Sequence, residues 1–344
     1  MAGSTTLSKA ARAARPIAIG VILAVCAVAL HAEWPTIIEG ASVFRHAALA
    51  WVAAGFAAEC VSMAAFAKLQ QQLLRAADTR LTLGTLLAIS YIGNGITGAV
   101  PVAGSGLALT YSERQFRAHG ADPARVSVVL MVAGVISAVA FAAIVAVGAI
   151  VTGNPTAAVL GLVTSIAIAS FVACFLIMLH SQQGRSRLQP VLVAALRLGQ
   201  RTVRRPSGDV ALLSAAILER LSSVRLRTPA IAAASAWALV NWGCDALCLA
   251  AAIAAARVAV PWSQWLLAWS AGSAAGSFSP TPFGLGVVDV ALIAALHGSG
   301  LPAADGVCAV LLYRVITFKI LLTLLWAITQ GWGGGTRNRQ LYRA

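Results

Sequence analysis

Five ionisable side chains fall inside long apolar stretches of this 344-residue chain: Glu59, Asp245, Asp289, Arg314 and Lys319. A charge near the middle of a bilayer costs roughly 2.5–3.5 kcal/mol on insertion scales, so each is a functional candidate by default. Arginine carries a planar fork of donors that fits a phosphate bidentately. Arg314 is therefore a candidate ligand for a lipid phosphate, and equally a candidate for a structural pair with Asp289 or Asp245. Glu59 and Asp245, with Lys319, are candidates for a proton or ion relay. Two glycine-rich turns add backbone chemistry: PVAGSG at 101–106, with Gly104 and Gly106, and PTPFGLG at 280–286, with Gly284 and Gly286. Glycine permits a tight turn and leaves N–H groups open. A helix that restarts after such a turn presents about half a positive charge, which favours phosphate or carboxylate. The competing reading is that these glycines only allow helices to pack closely.

Other chemistry finds no support. The sequence contains no GxxxxGK[ST] loop, no HExxH, no GxSxG and no Asp-rich Mg²⁺ motif, so no catalytic residue, cofactor or metal is assigned. All six cysteines lie in apolar stretches and read as small hydrophobes; Cys244 and Cys248 share a helix face, but nothing completes a metal set.

The elements that must position these groups follow from composition. Hydrophobic residues make up 59% of the chain and charged residues 10%, against roughly a quarter charged in soluble domains. Stretches of about 20 apolar residues are spanning helices, because lipid forces every backbone group to bond within its own segment. The fold class is thus all-α, a polytopic transmembrane bundle. About eight spans are expected, at 16–31, 45–67, 81–100, 126–151, 156–180, 229–256, 263–279 and 303–330. The N-terminal stretch has the basic flank and apolar core of a signal peptide, and reads here as an uncleaved first span. The net charge of +14 does not indicate nucleic acid, since Lys and Arg are blocked between the spans, nine of them from Arg185 to Arg227. That pattern encodes topology, with basic loops and both termini on the cytoplasmic side of the plasma membrane.

This constraint makes 81–125 and 263–302 into Gly/Pro-broken re-entrant hairpins that enter from opposite sides. A shift of 180 residues superposes Gly104 on Gly284 and Gly106 on Gly286, and a shift of 186 superposes Glu59 on Asp245. The expected organisation is an inverted-topology repeat with halves 1–151 and 156–330, followed by a tail, 331–344. In transporters, paired interrupted segments of this kind mark the binding site. The basic segment 181–228 contains two amphipathic stretches, one with Leu188, Val191, Leu192 and Ala195, the other with Leu212, Leu213, Ile217 and Leu221. They are expected on the cytoplasmic membrane surface or in a solvated linker.

The string GLGVVDVAL from Gly284, behind Pro280 and Pro282, resembles the "PGGlGvxE" signature of the lysylphosphatidylglycerol synthase transmembrane region. Leu311 through Arg314 resembles that family's "LlyR" helix, and Asn94, Pro101 and Gly104 resemble its first "N…lP…G" hairpin. The resemblance implies a flippase-like membrane domain. With the chain ending at Ala344, a soluble aminoacyl-transfer domain is not expected. Asp289 stands where the family has Glu, and no Glu accompanies Gly106, the nearest being Glu113.

The function expected is that of a lipid translocase moving an anionic phospholipid or a lipid-linked sugar, with the headgroup between the two turns. Two other classes stay open. One is a membrane enzyme of glycosyltransferase type, acting on a lipid-linked substrate through Glu33 and Glu39. The other is a scaffold docking a soluble synthase partner through 181–228.

Overall fold

The computed structural model describes residues 47–100, 104–153, 181–203, 228–277 and 279–317, with single positions between 163 and 219. Among these residues every regular element is helical. The helices are α1 (Leu49–Ala76), α2 (Leu83–Ala99), α3 (Gly104–Ala118), α4 (Pro123–Val151), α5 (Gln182–Val203), α6 (Thr228–Ala255), α7 (Trp265–Ser277), α8 (Val287–Gly298) and α9 (Ala303–Ile316), with a 3₁₀ turn at Pro282–Gly284 before α8.

Three described helices are long and apolar enough to cross a membrane: Leu49–Ala76, Arg125–Val151 and Thr228–Ala255. The expected spans 16–31, most of 156–180 and the end of 303–330 lie outside the described residues. The stretches 81–125 and 263–302 each hold two short helices, of 17 and 15 residues in one and 13 and 12 in the other. Each is below the ~20 residues of a full crossing. Helix α1 runs nine residues beyond the expected end at 67, and the extra turns bury Leu69, Gln70, Gln71, Leu73 and Leu74.

Local signals explain the helix ends. Thr82 Oγ1 caps α2 by accepting from the Thr85 N–H at 3.2 Å. Asp122 Oδ1 accepts from the Arg125 N–H at 3.1 Å, with Pro123 in the first helical position of α4, where its missing donor is harmless. The loop between α1 and α2 is held from both sides. Gln71 Nε2 donates to the Leu81 carbonyl at 3.0 Å, and Arg125 Nη1 donates to the Ala77 carbonyl at 3.1 Å and to Asp78 at 3.3 Å.

Among the described residues the most extensive helix contact is that between α1 and α6. Its register is antiparallel. The Ala48 N–H donates to the Ala255 carbonyl at 3.0 Å, Gly55 lies against Ala251, and the Asn241 side-chain N–H donates to the Ser62 carbonyl at 3.0 Å. Gly55 leaves room for Ile316 and Ala251, which lets the backbones approach. Around this pair, α2 packs on α3 and α7 packs on α8, while α9 closes against α6 and α8. Helix α4 is joined to α6 and α7 by an aromatic cluster, in which Phe141 stands 5.0 Å from Trp242 and 5.5 Å from Trp269 between ring centroids.

Candidate functional site

The second glycine-rich turn is built by its own residues. After Pro282 the chain turns through three positive-φ residues, Phe283 (φ 55°), Gly284 (φ 67°) and Gly286 (φ 78°). Left-handed backbone suits glycine, and it strains a bulky side chain such as Phe283. Polar bonds hold that conformation. Thr281 Oγ1 donates to the Leu285 carbonyl at 2.8 Å and shares a 2.8 Å hydrogen bond with Ser279 Oγ. Asp289, at the third position of α8, accepts from the Gly286 N–H at 2.9 Å and so caps its own helix.

Arg314, reaching from α9, completes the turn. Its Nε donates to Asp289 Oδ1 at 2.5 Å, its Nη1 to the Phe283 carbonyl at 3.0 Å and its Nη2 to the Gly284 carbonyl at 3.1 Å. The sequence left open whether Arg314 pairs with Asp289 or Asp245; in the structure it is joined to Asp289. One guanidinium thereby spans a carboxylate and two consecutive carbonyls, a task for a fork and not for a point charge. Both side chains remain partly accessible, Arg314 at 23% and Asp289 at 22%.

The two hairpins meet here. The ring of Phe283 lies over Gly98, at the end of α2, so closely that a Cβ there would sit 2.6 Å from Cδ1 of the ring. Gly104 is equally confined, since a Cβ on it would lie 2.5 Å from the Thr97 carbonyl oxygen. Residues 101–103, between these contacts, lie outside the described residues. Gly106 differs from its neighbours: it is exposed, and nothing stands within 4 Å of where its Cβ would be. Glu113 pairs with Arg117 at 2.7 Å, one turn away on the same helix, and both side chains are partly exposed.

The two other acids form a separate place. Glu59 and Asp245 are buried, at 3% and 8% exposure, and the antiparallel register of α1 and α6 sets them at the same level of the central contact. Asp245 Oδ2 accepts from the Trp269 indole N–H at 2.9 Å, which ties α6 to α7. Lys319, Glu33 and Glu39 lie outside the described residues. Five of the six cysteines are described and all five are free thiols. No group of three His, Cys, Asp or Glu that could hold a metal occurs among the described residues.

Phe283, Gly98 and Trp269 are the participants that sequence reasoning missed. A bulky aromatic residue between Pro282 and Gly284, inside a turn, was the one available signal for the first. Gly98 resembles any other glycine in an apolar helix until its neighbour is known.

Long apolar helices, acids buried between them and helix pairs broken at Gly/Pro turns define a polytopic helical membrane protein. The family model described as the lysylphosphatidylglycerol synthase TM region matches residues 16–325, and the chain belongs to that family. The family is named for lipid metabolism, in agreement with a lipid-facing role. No curated protein matches the chain.

Proposed function

We propose that the protein translocates a lipid across the plasma membrane, with the headgroup passing between the two broken hairpins. The carrying observation is the meeting of Phe283 with Gly98, which puts the polar clasp of Arg314, Asp289 and the turn carbonyls beside the end of the first hairpin. Support also comes from the antiparallel pairing of α1 and α6. An inverted-topology repeat with halves 1–151 and 156–330 requires its matched spans to run in opposite directions. Both hairpins are read as re-entrant, and both termini as cytoplasmic.

Arg314 has five N–H donors, of which three hold the turn. A headgroup phosphate competes with Asp289 Oδ1 for the guanidinium, while Asp289 Oδ2 keeps its bond to the Gly286 N–H. Lipid binding then exchanges one partner of Arg314 while its bonds to the Phe283 and Gly284 carbonyls hold the turn. An anionic phospholipid and a lipid-linked sugar carry the same phosphate chemistry, so either fits. Movement is passive or ion-coupled, with Glu59 and Asp245 as the relay in the coupled case.

The test is reconstitution in liposomes with headgroup-labelled lipids and a membrane-impermeant quencher. Wild type is expected to abolish leaflet protection for at least one anionic headgroup. Charge-assisted hydrogen bonds are worth roughly 1.5–3 kcal/mol, so Arg314→Gln should slow translocation by more than about tenfold while the protein stays folded. A folded variant that moves lipid at the wild-type rate would sink the proposal.

A further inference from the structure

Helix α5 carries the first amphipathic stretch of the basic segment. It is 22 residues long, and among the described residues no other helix packs extensively on it. Its sequence spaces Leu188, Val191, Leu192 and Ala195 three and four residues apart, the period of one helix face. Arg185, Arg187, Arg197 and Arg201 lie on the same helix, and from Ser181 to Gly208 there are six arginines and no acid. A helix with an apolar stripe whose only charges are positive suits a boundary between apolar and anionic surroundings.

The entry into α5 restricts where it lies. Met178 and Ser181 lead into α5 through one tight corner. Ser181 Oγ accepts from the Gly184 N–H at 3.0 Å, the Ser181 carbonyl accepts from the Arg185 N–H at 3.0 Å, and the Ser181 hydroxyl donates to the Met178 carbonyl at 3.4 Å. Gly184 is buried in this corner, and any Cβ on it would collide with the Met178 carbonyl oxygen and Cα. The helix therefore begins within three residues of an apolar stretch. Its start thus adjoins the end of the span expected from sequence at 156–180.

We infer that α5 is an in-plane docking element for the anionic phospholipid surface of the protein's own membrane, its apolar stripe in the acyl boundary and its arginines among headgroup phosphates. Charge selects this occupant. A zwitterionic surface would satisfy the apolar stripe alone, whereas the four arginines of α5, with no acid on the helix, match a negative surface potential. Pro190, inside the helix, removes one backbone bond and lets the helix bend along that surface. The inference does not depend on lipid translocation.

Amide hydrogen exchange on the full chain tests it, in nanodiscs of phosphatidylcholine alone and in nanodiscs containing phosphatidylglycerol. Amides of α5 should exchange on the order of tenfold more slowly in the anionic discs, and high salt should remove the difference. The amides of α6 serve as the internal control and should not change. A triple variant, Arg187→Gln with Arg197→Gln and Arg201→Gln, should exchange alike in both lipids. Equal exchange of wild-type α5 in the two lipids overturns the inference. Strong protection that persists in detergent also overturns it, since a protein partner or a second copy would then cover the stripe.

Discussion

At the scale of single residues, glycines that look alike in the sequence have different duties. Gly104 and Gly106 belong to one motif, yet a Cβ at Gly104 would meet a backbone carbonyl at 2.5 Å and one at Gly106 would meet nothing. Backbone does not yield as a flexible side chain does, and overpacking of this kind costs about 1–3 kcal/mol. Gly104→Ala should lower the thermal midpoint of the purified protein, and Gly106→Ala should leave it unchanged. Equal shifts would show that the close contact at Gly104 is not native. Gly284 combines positive φ with a clash against Val288, so Gly284→Ala should be at least as damaging as Gly104→Ala. Arg314 gives a second prediction at this scale. Arg314→Lys keeps the charge but cannot reach Asp289 and two carbonyls together, so it should behave like Arg314→Gln in the liposome assay. A lysine variant with wild-type translocation would mean that charge alone suffices.

Between elements, the informative contact is Phe283 on Gly98, because it joins the second turn to the first hairpin. Gly98→Ala places a methyl group against the ring and should destabilise the protein by about 1–3 kcal/mol. The same substitution in a Phe283→Ala background should be nearly neutral. Residues that touch give non-additive effects, so a double-mutant cycle on unfolding midpoints reads this coupling directly. Additive effects would remove the contact between the hairpins. The bond of Arg125 to the α1–α2 loop behaves differently. Its ion pair with Asp78 is mostly solvated, and such pairs contribute about 0–1 kcal/mol. Its bond to the Ala77 carbonyl closes a helix end. Asp78→Asn should therefore be almost silent in unfolding midpoint, while Arg125→Ala should cost more. The reverse order would assign the loop's rigidity to the ion pair.

For the whole molecule, the antiparallel pairing of α1 with α6 sets the architecture. Cysteines at Ser62 and Asn241, in a chain with its native cysteines replaced, should cross-link in intact membranes. A pair at Ser62 and Ala251 should not, since those positions are more than two turns out of register. Cross-linking of the second pair alone would overturn the register and with it the shared level of Glu59 and Asp245. That level lies in the protein interior, not in lipid: Glu59 is buried by neighbouring helices and Asp245 is bonded to Trp269. Burying an acid among helices is tolerable where lipid exposure is not.

The sequence by itself determined the solvent, the helical class and the family. Apolar length and backbone hydrogen bonding leave little else for stretches such as 126–151 and 229–256, and the strings around Gly284 and Arg314 carry the kinship. It also marked Asp289, Arg314, Glu59 and Asp245, because a charge in an apolar stretch is conspicuous without any coordinates. The partners of those charges were beyond it. Arg314 and Asp289 are 25 residues apart in the chain and Glu59 and Asp245 are 186 apart, so only the packing of α9 on α8 and of α1 on α6 settles that the first two meet and that the second two share a level. The end of α1 was likewise set by tertiary contacts, since Gln70 and Gln71 look like a polar boundary until α1 buries them. Periodicity and composition are local properties of a chain. Pair geometry is decided by side chains far apart in sequence competing for the same space, and it exists only once the helices have packed.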